Sequence, residues 1–305
     1  MNLLKRRVVA DLTAQTGRHD EPHIFGGPDG DPGLIGPGSM SWEIHSDIAS
    51  VLIAGIGSIV MEILHPSVMA GVQDLSSYRE DPLRRGRTTF GYVVTTTFGN
   101  TTAATRLIGA VKRMHGRVEG IRPDGVAYRA LDPELIGWVH TCIPWGIMEA
   151  YHRFNRPLSV AERDRYLAEQ AVIGRMGGAG DIPETFAELE EYVEMMRPRL
   201  GVNDQTLEFF DFLLTMPFGP PVPGVLSRPA HRFQVEAGMS LMPAWARRLT
   251  GFETSDLAHR ALHAPALRAS ARTVRWAFGT PPYAALASDR VSRRPAEAPE
   301  AVLAQ

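Results

Sequence analysis

The feature that most constrains the fold is a long apolar run from Trp42 to Leu64, which ends at the sequence His65-Pro66. The run is apolar almost all round, which is typical of a helix that is buried on every side. Pro66 disfavours the helical conformation of the residue before it, so the helix is predicted to end at His65. The sequence therefore predicts a central helix around which other helices pack.

The same run contains the nearest approach to a membrane-spanning segment, from Ile48 to Leu64. This segment is shorter than the roughly 20 residues that cross a bilayer core, and Glu62 lies inside it. We therefore predict a buried core helix and no membrane span.

The basic residues near the N-terminus are not followed by the apolar segment of a secretory signal. The single cysteine, Cys142, fits a reducing compartment. A cytoplasmic location is the expectation.

Periodicity and capping residues predict mostly helical structure in the remainder of the chain. The clearest helix start is Asp132-Pro133, because Asp is a favoured N-cap and Pro suits the first helical turn. The segment from Val118 to Tyr128 permits a short hairpin around Pro123-Asp124-Gly125. Further helices are predicted at 67–76, 83–97, 101–115, 133–153, 159–175, 183–197 and 204–215, with a C-terminal helical portion at about 225–280.

The predicted fold class is all-α, with a single domain at residues 40–285. At 305 residues and 44% hydrophobic content, the chain is long and apolar enough to bury a sizeable core. Residues 1–39 are predicted to be an irregular arm or loop because they hold a Gly/Pro/Asp-rich run, and residues 286–305 a flexible, disordered tail because apolar residues are few. The formal net charge of −2, with dispersed charges, excludes the usual signature of nucleic-acid binding.

A pair of Glu-x-x-His sequences favours one kind of iron site. Residues i and i+3 share a helix face, and two such pairs with two further glutamates form the di-iron site of ferritin-like bundles. The pairs are Glu62 with His65 and Glu149 with His152. The further glutamates would come from other helices, with Glu43, Glu188 and Glu208 as candidates.

His115 favours a second kind of iron site. It follows Leu107, Ile108, Val111 and Met114 at the spacing of a buried helix face. One histidine that faces an apolar pocket is the axial ligand that haem iron requires, although the same pattern also describes an ordinary core histidine. The sequence contains no Walker A, GxSxG or HExxH motif, so the classes of protein that depend on them are not indicated.

An ordered set of motifs extends over about residues 40–215. The motifs include Glu62-Ile-Leu-His65-Pro66, Asp81-Pro82, Arg85-x-x-x-Thr89, His115-x-x-Val118-x-Gly120 and Trp138-Val139-His140. In this order the chain resembles the DUF2236 family, which includes rubber oxygenases of the latex-clearing type and mpaB-type oxygenases. The resemblance implies an all-α, globin-like helical bundle around a pocket for one haem b.

The resemblance also implies roles for particular residues. His115 corresponds to the proximal iron ligand, and Arg85 and Thr89 to the arginine–threonine pair with a catalytic role. Arg85, His65 and His140 are implied to contact the cofactor together with His115. Thr88 departs from the latex-clearing pattern, which has a lysine immediately before the threonine.

The expected function is a haem-dependent oxygenase that uses dioxygen to oxidise an apolar small molecule. Haem b with its iron, dioxygen and this substrate are the expected partners, and nucleic acid is not. One alternative is a di-iron carboxylate oxidoreductase that uses the two Glu-x-x-His pairs. The other is a non-catalytic protein that binds haem or a lipophile, because a fold does not by itself imply an activity.

Overall fold

The computed structural model describes residues 3–75, 78–216, 232, 235–236, 238–252 and 262–293. Within these ranges the protein is mostly helical, which confirms the predicted all-α class. The helices are α1 (Leu3–Thr16), α2 (Pro22–Phe25), α3 (Met40–Ser46), α4 (Ile48–Ile63), α5 (Pro66–Leu75), α6 (Pro82–Phe98), α7 (Thr101–His115), α8 (Pro133–Phe154), α9 (Val160–Gly177), α10 (Phe186–Met196), α11 (Asp204–Thr215), α12 (Ala244–Thr250), α13 (Ala264–Phe278) and α14 (Pro282–Ser292).

One antiparallel hairpin lies between α7 and α8, where the turn sequence permits it. It consists of β1 (Glu119–Ile121) and β2 (Ala127–Arg129), with Gly120 opposite Tyr128. Local chemistry also explains the start of α8, since the Asp132 side chain accepts a hydrogen bond from the Glu134 N–H. The helices predicted at 101–115 and 204–215 coincide with α7 and α11.

The central apolar run is broken, so the prediction of a single helix over residues 42–64 is wrong. α3 and α4 meet at an angle of 89° at Asp47. The buried Asp47 carboxylate accepts hydrogen bonds from Ser50 on α4, from Asn155 after α8 and from Arg275 on α13. Asn155 and Arg275 are distant in the sequence, and their bonds to Asp47 fix the direction of the chain at a point where the apolar pattern itself shows no break.

α4 is nevertheless the centre of the core, as predicted, and packs antiparallel to α8. Ser58 lies against Gly146 at the crossing, while the indole of Trp138 donates to the Glu62 carbonyl farther along α4. Among the described residues, no single helix is long and apolar enough to cross a bilayer. The bent pair of α3 and α4 reaches the required length and composition only when the two are taken together.

The two ends of the chain are more ordered than predicted. The expected N-terminal arm, residues 1–39, contains α1 and α2, and α1 packs on α6, where Arg87 Nε donates to the Ala14 carbonyl at 2.8 Å. The predicted tail boundary at residue 286 falls inside α14, because Arg290 is buried there against backbone carbonyls. Residues 294–305 of the predicted tail, and about a third of the predicted helical portion at 225–280, lie outside the described residues.

Candidate functional site

Four helices bring together Glu62 of α4, Arg85 of α6, His115 of α7 and His140 of α8, which we call the four-residue cluster. The positive charge of Arg85 acts on both Glu62 and His115, and His115 in turn acts on His140. Electrostatic effects of this kind require proximity inside a low-dielectric interior. The structure therefore unites three of the predicted site residues and adds Glu62 to them.

Glu62 is the carboxyl group of the cluster, and its residue is 6% exposed. Burial raises the pKa of Glu62 to about 8, and the charge of Arg85 offsets part of this effect. No hydrogen bond joins the carboxyl group to another described residue, whereas the Glu62 backbone carbonyl accepts from Trp138. A carboxyl group in this setting is mainly protonated at neutral pH and can hold or give up a proton there.

The two imidazoles of the cluster are kept neutral by the same physical cause. Burial lowers the pKa of His140 to about 4, with a further contribution from His115. Burial, followed by the charge of Arg85, lowers the pKa of His115. A neutral imidazole has one nitrogen lone pair, so both residues are in the protonation state of a metal ligand or a hydrogen-bond acceptor.

His140 packs against a glycine face of α9. A Cβ at Gly177 would lie 3.0 Å from His140 Nε2, and one at Gly174 would lie 3.2 Å from His140 Cβ. On its other side the ring of Tyr92 meets the imidazole edge-on, with the centroids 5.9 Å apart. Side chains at the two glycine positions would displace the imidazole, so Gly174 and Gly177 define where His140 lies.

Arg85 and Thr89 lie one turn apart on α6, as their spacing predicts. Arg85 Nη1 donates to Thr89 Oγ1 at 3.3 Å, and the guanidinium is exposed. Thr88, the departure from the family pattern, is exposed and donates to the Arg84 carbonyl of its own helix at 2.9 Å. Arg85 thus presents its remaining donors toward solvent at the edge of the cluster.

His65 lies apart from the cluster, in a cleft of about 1050 Å³ next to the hairpin. Its Nδ1 accepts from the Ser67 N–H at 3.2 Å, and its Nε2 lies 3.8 Å from a Glu134 carboxylate oxygen. Burial lowers the pKa of His65 to about 4, with smaller contributions from neighbouring charges. The other charged and polar residues of the cleft include Arg122, Tyr128, Asp132 and Arg199.

The arrangement of the Glu-x-x-His pairs contradicts the di-iron hypothesis. α4 and α8 are antiparallel, so Glu62 and His65 lie near the start of α8, whereas Glu149 and His152 lie near its end. Arg153 and Arg163 neutralise Glu149, and His152 Nδ1 accepts from the Leu158 N–H. The described residues include no group of three or more His, Cys, Asp or Glu side chains placed to hold a metal ion.

Some parts of the site are absent from the sequence prediction. Three residues surround His140: Tyr92, Gly174 and Gly177. Only the spacing Gly174-x-x-Gly177 is a signal that the sequence offers, because it places both glycines on one helix face.

His45 is a buried histidine that does not belong to the candidate site. Its two nitrogens are fully engaged, by Thr97 Oγ1 at 2.7 Å and the Tyr166 hydroxyl at 2.8 Å, so it is structural.

Comparison with known proteins identifies a family over most of the chain. The family model described as "ER-bound oxygenase mpaB/B'/Rubber oxygenase, catalytic domain" matches residues 42–276, which include the whole four-residue cluster. Curated relatives include an uncharacterized protein of Mycobacterium bovis and one of Mycobacterium tuberculosis, each 28% identical over 131 residues. The match covers 42% of this chain and spans about half the length (50%) of each relative. No solved structure matches the chain.

Proposed function

The chain belongs to the mpaB and rubber oxygenase catalytic-domain family, and from that premise we propose that it uses haem b to oxidise an apolar small molecule with dioxygen. The family is one of oxygenases, so an enzymatic role is the starting point. The observation that carries the haem proposal is the pair of neutral, half-buried imidazoles, His115 on α7 and His140 on α8, two helices that both pack on α9.

Within the cluster, His115 is the residue that fits haem. His115 offers an uncharged imidazole nitrogen, the donor that haem iron takes in many proteins. The group near His115 is the equally neutral ring of His140, which itself covers the glycine face of α9. When bound, haem would supply the redox chemistry of dioxygen, while the protein supplies ligation, orientation and a dry surrounding.

Arg85 and Glu62 have distinct roles in this proposal. The exposed Arg85 guanidinium offers forked donors at the edge of the cluster, which suit a carboxylate such as a haem propionate. Glu62, with a pKa of about 8, holds a proton on its carboxyl group in the interior and can release it to an acceptor near His115. Thr89 positions Arg85 through the hydrogen bond between them.

The interior near Glu62 is apolar, and an apolar substrate matches that polarity. The charge of Glu62 acts on Cys142, whose thiol is buried and has its pKa raised well above the usual value by that burial. Cys142 lines an apolar cavity of about 20 Å³ together with Met61, Trp138 and Trp145, which has room for about one water molecule and not for a substrate. The apolar lining still favours a hydrocarbon neighbour over a charged one, because burial of an unpaired charge is costly.

The test is the absorption spectrum of the purified protein after addition of haem b. We expect a Soret band for the native chain and its loss in His115→Ala. His152→Ala is the matched control, because His152 lies outside the cluster. A native protein that retains no haem, or His115→Ala with an unchanged spectrum, would contradict the proposal. Oxygen consumption with an apolar substrate and a reductant then distinguishes an oxygenase from a haem carrier.

A further inference from the structure

We propose that the cleft of about 1050 Å³ beside the hairpin is a second ligand site, in which donors of His65, Ser67 and Arg122 bind the carboxylate of a small organic acid. The cleft lies apart from the four-residue cluster. This inference therefore goes beyond the proposed oxygenase function and does not depend on it. A concave cleft in which a few polar groups converge is the usual form of a small-molecule site.

His65 supplies the first donor. Burial lowers the pKa of His65 to about 4, so the imidazole is neutral at neutral pH. Its Nδ1 accepts from the Ser67 N–H at 3.2 Å, which leaves the ring proton on Nε2. The residue is 5% exposed, and the nearest carboxylate oxygen, on Glu134, lies 3.8 Å from Nε2, beyond hydrogen-bonding distance. A buried N–H thus reaches the cleft without an acceptor among the described residues.

Ser67 and Arg122 add two further donors. Arg122 Nη1 donates to Ser67 Oγ at 3.3 Å. The Ser67 oxygen accepts this bond, and the described residues offer no acceptor for its own hydroxyl proton. Asp124 engages Nε and Nη2 of Arg122, so the second N–H of Nη1 is also left without an acceptor there. Buried polar groups usually have partners, and three such donors in one cleft indicate a ligand that accepts from them.

The helices around the cleft favour a negatively charged ligand. Ser67, in the first turn of α5, and Leu135, in the first turn of α8, both line the cleft. The N-terminus of a helix carries about half a positive charge, which attracts anions. Asp132 offsets part of this charge at α8, where its side chain accepts from the Glu134 N–H. The end of α5 has no acidic residue in its first turn.

The charge balance of the cleft suits a single negative charge. Its charged side chains are three arginines and three acids, namely Arg122, Arg129, Arg199, Glu119, Asp132 and Glu134. Arg199 engages Glu134 at 2.7 Å, and Arg129 engages Glu119 at 3.3 Å. The formal charges of these side chains cancel, so the helix ends and the three donors provide the attraction. A monoanionic carboxylate is therefore favoured over a doubly charged phosphate.

The experiment titrates the purified full chain with benzoate by isothermal titration calorimetry at neutral pH. Benzoate is the probe because its ring matches the apolar lining from Leu135 and Pro198. Benzamide, which has the same ring and no charge, is the neutral comparison. We expect benzoate to bind about tenfold more tightly than benzamide, because hydrogen bonds to a charged group are the stronger ones. Inorganic phosphate should bind more weakly than benzoate.

Two variants locate the site. His65→Asn keeps an acceptor for the Ser67 N–H and removes the Nε2 donor, while Arg122→Gln changes the hairpin side of the cleft without altering the helical core. Each should raise the Kd of benzoate by about tenfold or more. Arg272→Gln, an exposed arginine on α13, is the control and should leave the Kd unchanged.

Four results would overturn the inference: no binding of benzoate by the native chain, equal affinity for benzamide, tighter binding of phosphate than of benzoate, or a Kd that both cleft variants leave unchanged. Circular dichroism establishes that each variant is folded. None of these results involves a Soret band, so the proposed function stands or fails separately.

Discussion

At the residue scale, Glu62 is the group whose chemistry depends most on its surroundings. Its side chain is buried on α4, and among the described residues its carboxyl group has only the electrostatic influence of Arg85 to offset the loss of water. Removing a carboxylate from water favours the protonated form. The fold therefore maintains a weak acid with a pKa of about 8 in the interior near Arg85.

The raised pKa of Glu62 predicts a specific pH dependence of stability. The pKa is about 8 in the folded protein and near the ordinary 4.5 in the unfolded chain, so between these values the folded state holds the additional proton. The free energy of unfolding should therefore decrease as pH rises from about 4.5 to about 8. Glu62→Gln, which stays neutral, should lose this decrease and exceed the native stability at about pH 8.5 by roughly 2–4 kcal/mol.

Urea denaturation at about pH 5 and at about pH 8.5 measures this effect. Glu190→Gln, an exposed glutamate on α10, is the matched control and should follow the native protein at both pH values. Native and Glu62→Gln curves that remain parallel across the range would show that Glu62 does not carry a raised pKa.

The sequence predicts which residues form the site better than it predicts how those residues are arranged in space. The motif order indicates Arg85, His115 and His140, and the structure brings these three together. The sequence places Glu62 only in a Glu-x-x-His pair, because helical spacing indicates which residues share a face and not which helix that face meets. His65 illustrates the same limit, since it shares a face with Glu62 and yet lines the separate cleft.

At the element scale, the crossing of α4 and α8 is the packing contact that positions two members of the cluster. Ser58 and Gly146 meet at this crossing, where a Cβ on Gly146 would lie 2.1 Å from Ser58 Oγ. While Ser58 keeps its hydroxyl at this place, only glycine at position 146 avoids the clash. The crossing aligns two members of the cluster. Glu62 lies one turn after Ser58 on α4, and His140 lies before Gly146 on α8.

Substitution of Gly146 by alanine should therefore destabilise the protein. Overpacking of a close helix contact typically costs about 1–3 kcal/mol, and we expect a loss of that size in urea denaturation. Gly55→Ala is the matched control on α4, because no atom outside its own helix segment lies within 4 Å of the new Cβ. It should be neutral or stabilising by up to about 1 kcal/mol, since alanine has the higher helix propensity.

A double variant tests the cause of this loss. Ser58→Ala removes the hydroxyl that the new methyl would strike, while the Ser58 Cβ stays at an acceptable 3.4 Å. Ser58→Ala combined with Gly146→Ala should therefore recover much of the lost stability. Additive effects of the two substitutions would mean that the crossing does not depend on this contact.

The break between α3 and α4 shows what element prediction cannot reach from sequence. Caps and prolines are local signals, and they place the starts of α6 and α8 correctly at Pro82 and Pro133 to within one residue. The break at Asp47 depends on Arg275, more than 200 residues later, whose guanidinium pairs with the carboxylate at 2.6 Å. Periodicity contains no information about that partner.

At the scale of the whole molecule, Arg290 joins the two ends of the chain. Its guanidinium donates to the backbone carbonyls of Asp31, Phe25 and Phe98 at 2.8–2.9 Å, and its residue is 0% exposed. α14 is thereby attached both to the N-terminal segment and to the end of α6. The all-α class could be predicted from sequence, but the attachment of α14 through Arg290 could not. The globin-like arrangement of the helices stays a prediction.

Arg290→Ala should lower the free energy of unfolding by about 3 kcal/mol or more, because it leaves buried carbonyls without donors. Urea denaturation measures the loss. Arg272→Ala, an exposed arginine on the neighbouring α13, is the control and should change stability by less than about 0.5 kcal/mol. Equal effects of the two substitutions would show that the chain ends are not held together through Arg290.

Binding of haem should stabilise the whole molecule if the cluster is its site. A ligand that binds only the folded state contributes about 2.7 kcal/mol when present at about 100 times its Kd, which corresponds to a Tm increase of roughly 5 °C or more for a domain of this size. Thermal unfolding with haem b and with iron-free protoporphyrin measures this increase and its dependence on iron. His115→Ala should lose the part that requires iron, and His152→Ala should retain it. An equal Tm increase for haem and protoporphyrin would show that the protein binds the ring without ligating its metal.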